Sequence, residues 1–338
     1  MSKVSVIVPI YNVEKYIEKC LKSLCNQTLV DIEILAISDG TPDNSMEIVE
    51  KYAKKDKRIK PIYKENGGYG SVLEYGINVA NSEYFLVCDP DDWLENNALE
   101  ILLSAAEKEK VDLVIGDKYN IYVNSDAKEY SASEHQNYKV KKNVKCSGSE
   151  LNHFSYMKVS PHSKLFKTEI AKQIVFPYKI SYTDNVLYLV YLNNCHSALY
   201  IPKALSYYLL DRPGNTANEA SEEKYKLKVF NAMDKVFNSI YEQVSENINY
   251  EIANRIYIEE RIQLKKIKKL EEVEEYEKCL NKIIDLLLKL RPFKNDITKN
   301  ISGKNIVKKY IKIILINLFY FNLTRKIAIK FYQSNLYR

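Results

Sequence analysis

Cysteine is scarce and scattered. The six residues, Cys20, Cys25, Cys88, Cys146, Cys195 and Cys279, include no Cys-x-x-Cys pair. Neither a zinc site nor a disulfide framework is indicated, and reduced, buried thiols are expected. Long hydrophobic runs are missing too: no stretch reaches the roughly 18 uninterrupted apolar residues of a spanning helix. Met1-Ser2-Lys3 leads at once into a strand-like run that stops at Pro9, too short for a secretory leader. A cytoplasmic location is therefore expected. Strong charge of one sign is absent as well. The net charge is +6 over 338 residues, too little to argue for nucleic acid, and no such partner is expected. Glycine disappears between Glu222 and Gly303, where Pro292 is the lone proline, so the chain changes texture there.

What is present is globular in character: 46% apolar residues with 28% charged can bury a sizeable core in more than one domain, or in one domain with a large appendage. The chain is organised around Tyr84-Phe85-Leu86-Val87-Cys88-Asp89-Pro90-Asp91-Asp92-Trp93. A short apolar run, read as a buried strand, meets three carboxylates in four residues, and Pro90 ends it. Carboxylates this close repel one another unless a cation or hydrogen-bond donors hold them. The stretch fits a site for a divalent cation and a nucleotide sugar. It equally fits an acidic turn that caps the helix after Trp93.

Strand and helix patterns alternate before it. Val4 to Ile10, Ile32 to Ile37 and Ile59 to Tyr63 read as buried strands. Glu14 to Leu24, the segment opened by Asp43-Asn44-Ser45, and the segment ending at Ala80 read as helices. Such alternation implies βαβ units and a mostly parallel sheet whose carboxyl ends share one edge. That edge would collect Tyr11, Asn12, Asp39, Gly40, the loop from Asn66 to Gly70, and Asp89 to Asp92. Ligands bind at such an edge in open α/β sheets. Beyond it, Ala98 to Ala106 reads as a helix. Asp112 to Ile115 and Ile121 to Val123 read as short runs, and Asn124 to Ser149 as a variable insertion or flexible loop. Val186 to Leu192 carries a helical stripe. Ala198 to Ile201 and Tyr207 to Leu209 read as two strands, and the loop from Asp211 to Thr216 closes a first domain, 1–220.

The second region, 221–338, reads as helical. Residues 301–338 carry eight Lys or Arg and no Asp or Glu, around a nearly wholly apolar stretch from Ile311 to Phe321. This suits a basic amphipathic tail lying on an anionic membrane surface. A helix covering the catalytic domain or a dimer interface would share the pattern.

Five segments in order carry a resemblance: Val4 to Asn12, Ser38-Asp39-Gly40, Asp43-Asn44-Ser45, Glu65-Asn66-Gly67-Gly68 and Asp89 to Trp93. Together they resemble the family 2 glycosyltransferases with a GT-A fold. Ser163-Lys164-Leu165-Phe166 and Tyr182-Thr183-Asp184-Asn185 extend the likeness to about residue 216. The resemblance implies an α/β GT-A domain with a C-terminal helical extension. It implies transfer of a sugar, with inversion, from a nucleoside diphosphate donor, most simply UDP-linked, to an acceptor hydroxyl in surface polysaccharide or glycolipid synthesis. It implies Mn²⁺ or Mg²⁺ at Asp91 and Asp89, with Asp92 in support. Pro9, Tyr11 and Asn12 would shape the base pocket, and Asp39 would accept from the base or ribose. Asn66, Gly67 and Gly68 would lie against the donor, Arg212 would meet the diphosphate or make a surface salt bridge, and Asp184 would be the base or a helix cap.

The acceptor would be a glycan or lipid-linked sugar at the inner face of the membrane. Two departures stand out. Thr183 replaces the usual acid before the base, and Glu74 lies in Ser71 to Gly76 where the familiar arginine-asparagine pair would be. His162 is set aside as a lone histidine. The alternative from another class is a non-catalytic nucleotide-binding or membrane scaffold module of the same fold.

Overall fold

The computed structural model describes residues 2–123, 125, 127–213, 226–299, 306–321 and 323–334. The chain divides into two compact units, Met1–Glu219 and Ala220–Arg338. The boundary falls within 214–225, outside the described residues, as do Gly214 to Thr216 of the closing loop.

The first unit is built on one sheet. Its strands are β1 (Val4–Ile10), β2 (Ile32–Asp39), β3 (Ile59–Lys64), β4 (Tyr84–Val87), β5 (Trp93–Leu94), β6 (Leu113–Tyr122), β7 (Lys128–Ser131), β8 (Lys145–Ser147), β9 (Lys164–Lys167) and β10 (Ser197–Leu210). The order is β3-β2-β1-β4-β9-β6-β10-β5, with β7 on β6 and β8 on β10. β1 and β2 are buried along their whole length, as expected of near-continuous apolar strands covered on both faces. β3 is an edge strand, which is why it tolerates Pro61. The helices are α1 (Ile17–Cys25), α2 (Ser45–Lys55), α3 (Tyr69–Val79), α4 (Ala98–Glu109), α5 (Thr168–Ala171) and α6 (Asp184–Asn194). α1 buries Ile17, Cys20, Leu21 and Leu24, the stripe that its sequence spacing sets.

β3, β2, β1 and β4 pair in parallel. β9 breaks the run: it is antiparallel to both β4 and β6. β6 therefore resumes the direction of β4, and β10 pairs parallel to it. One edge collects the carboxyl ends of six strands and, because β9 is reversed, the residues that precede β9.

Three expectations change in detail. The runs at Asp112 to Ile115 and Ile121 to Val123 belong to one strand, β6, whose middle holds buried Asp117. Ser133 N–H donates to that carboxylate at 2.6 Å and the Tyr200 hydroxyl at 3.0 Å, so burying it is not penalised. The two runs at Ala198 to Ile201 and Tyr207 to Leu209 form the single strand β10, with register shifts between Tyr200 and Ser206 around Pro202. The lysine-rich segment read as a loop holds β7, β8 and a 3₁₀ segment, Gly148–Tyr156, while Asn124 and Asp126 lie outside the described residues.

The second unit is helical. Tyr250–Ile267 packs against Lys226–Val244 and Val273–Lys289. The tail continues as Ile306–Tyr320 and Arg325–Tyr332. Its inner face is part of this core: Phe319 and Tyr332 are buried, the Tyr257 and Tyr332 hydroxyls lie 2.6 Å apart, and Tyr320 donates to the Leu287 carbonyl at 3.0 Å. The outer face exposes Tyr310, Ile314, Phe321, Leu323 and Ile327. No helix among the described residues is long and apolar enough to cross a membrane.

Candidate active site

A cavity of about 780 Å³ opens at the shared edge of the sheet. Pro9, Tyr11, Asp39, Asn66, Gly68, Asp89, Asp91, Asp184 and Arg212, nine of the residues singled out from sequence, line it. Asn12 and Gly67 do not. Asn12 turns the chain after β1 with φ 54°, its N–H bonded to Thr41 Oγ1 at 2.8 Å. Gly67 lies beneath the surface, where a Cβ would come within 2.4 Å of Ser71 Oγ.

Asp39 organises the glycine loop. Its carboxylate accepts from the N–H groups of Gly67 (2.9 Å) and Gly68 (2.8 Å) and from Lys64 Nζ (2.7 Å). Asn66 Nδ2 donates to the Asp39 carbonyl at 2.8 Å. Gly68, at φ 84°, then opens α3, a conformation and a closeness to Lys179 that only glycine allows.

The acids after β4 sit at different positions. Partly buried Asp89 accepts from the Tyr69 hydroxyl at 2.8 Å, and its carboxyl is pushed up to about 7, first by desolvation and then by the charge of Asp91. Asp91 is ion-paired with the Arg212 Nε. Buried Asp92 accepts from Leu209 N–H at 2.8 Å and from His162 Nε2 at 2.5 Å, and burial holds its carboxyl well above the usual range. Desolvation holds the His162 ring neutral. Lys118 Nζ, which can only donate while protonated, lies 3.3 Å from Nδ1 and so places the ring proton on Nε2, facing Asp92.

Asp89, Asp92 and His162 each offer a ligand atom within 4.8 Å of the others. Their two oxygens, and the His162 nitrogen once its proton is displaced, suit Mn²⁺ or Mg²⁺. Acids whose ionisation is suppressed by burial and by each other are the environment that a divalent cation relieves, so the residues fit such an ion. Asp91 stands outside this group, engaged by Arg212, and His162, set aside from sequence as a lone histidine, stands inside it. The topology is the reason: reversed β9 carries His162 to the edge.

Asp184 is the first residue of α6, where the cap position is Thr183. Its carboxyl is raised above the ordinary range by desolvation, and the charges of Lys164 and Lys118 oppose that shift. Burial lowers both of those lysines, Lys164 to about 7 and Lys118 to about 8. Lys164 belongs to a segment that carries the family resemblance but was given no role from sequence, and Lys118 was not singled out. Glu74 turns out to face away from the cavity: it accepts from Phe176 N–H at 3.0 Å and Tyr178 hydroxyl at 3.3 Å, holding the segment that leads to Asp184. Lys179 N–H donates to the Gly67 carbonyl at 2.8 Å and closes the same clamp.

Residues 5–169 match the model of glycosyl transferase family 2. These residues of the first unit form a glycosyl transferase family 2 domain. Among similar proteins, the uncharacterized glycosyltransferase EpsJ of Bacillus subtilis is 48% identical over 111 residues, 33% of this chain and 32% of EpsJ. The chain thus spans about a third of the length of this relative. Among solved structures, S. aureus TarS 1-349 in complex with UDP superposes with a TM-score of 0.69 at 20% identity, covering 99% of this chain and 93% of that one. TarS has also been solved with UDP-GlcNAc. The mannosyltransferase PcManGT from Pyrobaculum calidifontis, in complex with GDP-Man and Mn²⁺, reaches 0.50 at 13% identity over 98% of this chain and 84% of that one. At these identities the structures establish the shared GT-A fold.

Proposed function

We propose that the first unit is an inverting glycosyltransferase. It moves a sugar from a nucleoside diphosphate donor, a UDP-sugar, to an acceptor hydroxyl of a surface polysaccharide or glycolipid. One observation carries this reading. Asp184 and the group Asp89, Asp92 and His162 face the same cavity, so a base and a cation-binding cluster can act on one bound donor. TarS with UDP and PcManGT with GDP-Man and Mn²⁺ support a nucleotide-sugar donor and a metal in this fold.

In this reading Asp89 and Asp91 hold the divalent cation, with Asp92 and His162 completing the donor set. When bound, the cation supplies Lewis acidity that offsets the charge growing on the leaving diphosphate. Pro9 and Tyr11 border the nucleobase, and Asn12 fixes the turn that presents Tyr11. Asp39 acts through Asn66, Gly67 and Gly68, whose loop it holds, as well as by facing the base. Asp91 and Arg212, paired with each other at the cavity wall, would serve as the cation's carboxylate and the diphosphate's guanidinium respectively. Asp184 takes the proton of the acceptor hydroxyl as its oxygen attacks the anomeric carbon opposite the leaving group. A carboxyl raised above its ordinary range is the stronger base once ionised.

The second unit is read as a peripheral anchor. Its basic, acid-free tail would meet an anionic membrane at the inner face of the cell, where a lipid-linked acceptor is presented.

A thermal-shift screen of UDP-, GDP-, dTDP- and CMP-sugars with and without Mn²⁺ tests the donor class. Stabilisation by UDP-sugars that depends on Mn²⁺ is expected, and no shift with any donor would remove the reading. Asp184→Asn should keep that shift and lose transfer by about 10²- to 10⁴-fold. Normal transfer by this variant would displace Asp184 as the base.

A further inference from the structure

A second, smaller cavity of about 270 Å³ lies on the other side of Asp91. It is lined by Lys15, Lys19 and Lys22 of the α1 segment, by Tyr16 and Trp93, and by Leu209 at the end of β10. Asp91 lines both cavities. Arg212 borders the large one, and its guanidinium lies 5.4 Å from the centre of the Tyr16 ring in the small one. The Asp91–Arg212 pair is therefore the partition between them.

The small cavity is cationic and aromatic. Lys15 in the turn before α1 and Lys19 and Lys22 of α1 all line the same cavity. Glu18 is the acid of the α1 segment there, and it is already neutralised by Lys22 at 3.1 Å. Neither Lys15 nor Lys19 has an ion-pair partner among the described residues. Lys19 Nζ lies 3.2 Å from the Trp93 ring centre. Desolvation, and then the charge of Lys128, lower its proton affinity, which an arriving anion would restore. Trp93 stacks on Tyr207 (5.2 Å, 14°), and Tyr207 lies against Tyr119 (5.4 Å). Lys128 caps that row, 4.7 Å from the Tyr207 ring centre. Tyr207 covers one face of Trp93 and Lys19 the other, so a sugar ring meets Trp93 as Lys19 leaves it for an anionic substituent, and Lys15 beside it receives such substituents as well.

We infer that this cavity and its aromatic row form a second subsite, for a stretch of glycan bearing negative charge. An anion here would also lie near Arg212 and loosen its hold on Asp91, so occupancy would be felt in the donor cavity.

Trp93 is the chain's sole tryptophan, so its emission reports on this subsite directly. The full chain is titrated with dextran sulfate, with neutral dextran of equal length, and with polyglutamate. Dextran sulfate should change the emission saturably, neutral dextran should not, and polyglutamate should bind at least about tenfold more weakly. Lys15→Gln combined with Lys19→Gln should weaken dextran sulfate about tenfold or more. The same variant should keep its melting temperature and its response to nucleotide sugar, which separates failure here from failure of the donor assignment. Equal binding of polyglutamate would reduce the site to a charge patch and overturn the assignment. So would unchanged dextran sulfate binding by the double variant, or no emission change with any polymer.

Discussion

At the scale of single residues, the charge state of Asp89 decides what the cavity prefers. Its carboxyl is pushed up to about 7 by desolvation and by Asp91, against an ordinary value near 3.9. Between those values the folded chain binds more protons there than the unfolded one. By linkage, stability must then fall as pH rises through that window. Asp89→Asn removes the charge and keeps an oxygen for the Tyr69 hydroxyl. Without metal it should raise the melting temperature more at pH 8 than at pH 5, by about 1 kcal/mol or more at the higher pH. Calorimetry at the two values checks this, and a variant less stable at pH 8 would mean that the carboxylate is stabilised by its neighbours. Protons and cations compete for the same oxygens. The stabilisation of the native protein by Mn²⁺ should therefore grow from pH 6 to pH 8 and be much reduced in Asp89→Asn.

At the scale of elements, the parallel half of the sheet was legible because each strand is an apolar run followed by a turn that carries a polar or glycine residue. Asp39, Asn66, Gly68 and Asp89 were placed at one edge by that logic alone. The reversed strand was not legible. Four residues, Lys164 to Lys167, carry no mark of direction, so His162 kept the look of a lone histidine, and its contacts with Lys118 and with Asp92, itself already named, were not legible. β6 and β10 were each split in two because a buried aspartate and a proline interrupt their apolar pattern. Two substitutions test how elements hold the site. A Cβ on Gly76 would lie 2.8 Å from Ile7 Cγ2 and 3.0 Å from Ile37 Cδ1, both fixed in buried strands. Gly76→Ala should cost up to roughly 2 kcal/mol in denaturant unfolding, overpacking of about 1–3 kcal/mol set against a helix-propensity gain of about 1. Glu74→Ala should free the segment from Phe176 to Tyr182, raising its hydrogen exchange and lowering transfer about tenfold. Glu74→Gln should recover part of both, because its amide oxygen still accepts from Phe176 N–H.

At the scale of the whole molecule, the second unit raises a question of what its outer face meets. The tail was read as either a membrane contact or a covering helix, and its two faces divide those roles. Phe319, Tyr320, Ala328 and Tyr332 are buried. Tyr310, Ile314 and Phe321 continue one exposed stripe, joined by Ile327 and by Leu323, which is 97% exposed. Exposed Lys326 and Lys330 lie beside it, and no acid occurs from residue 301 onward. Burying one such side chain contributes about 1.5–3 kcal/mol when complete, and each lysine near an anionic surface adds about 1 kcal/mol. Phe321→Ser with Leu323→Ser should therefore lower partition onto vesicles of anionic lipid by about tenfold or more. Because both side chains are exposed, the melting temperature should hold. Neutral vesicles should bind the native chain weakly, since the stripe alone is short. If the double variant partitions like the native chain, the stripe is not the contact, and the positive charge of the tail acts without it.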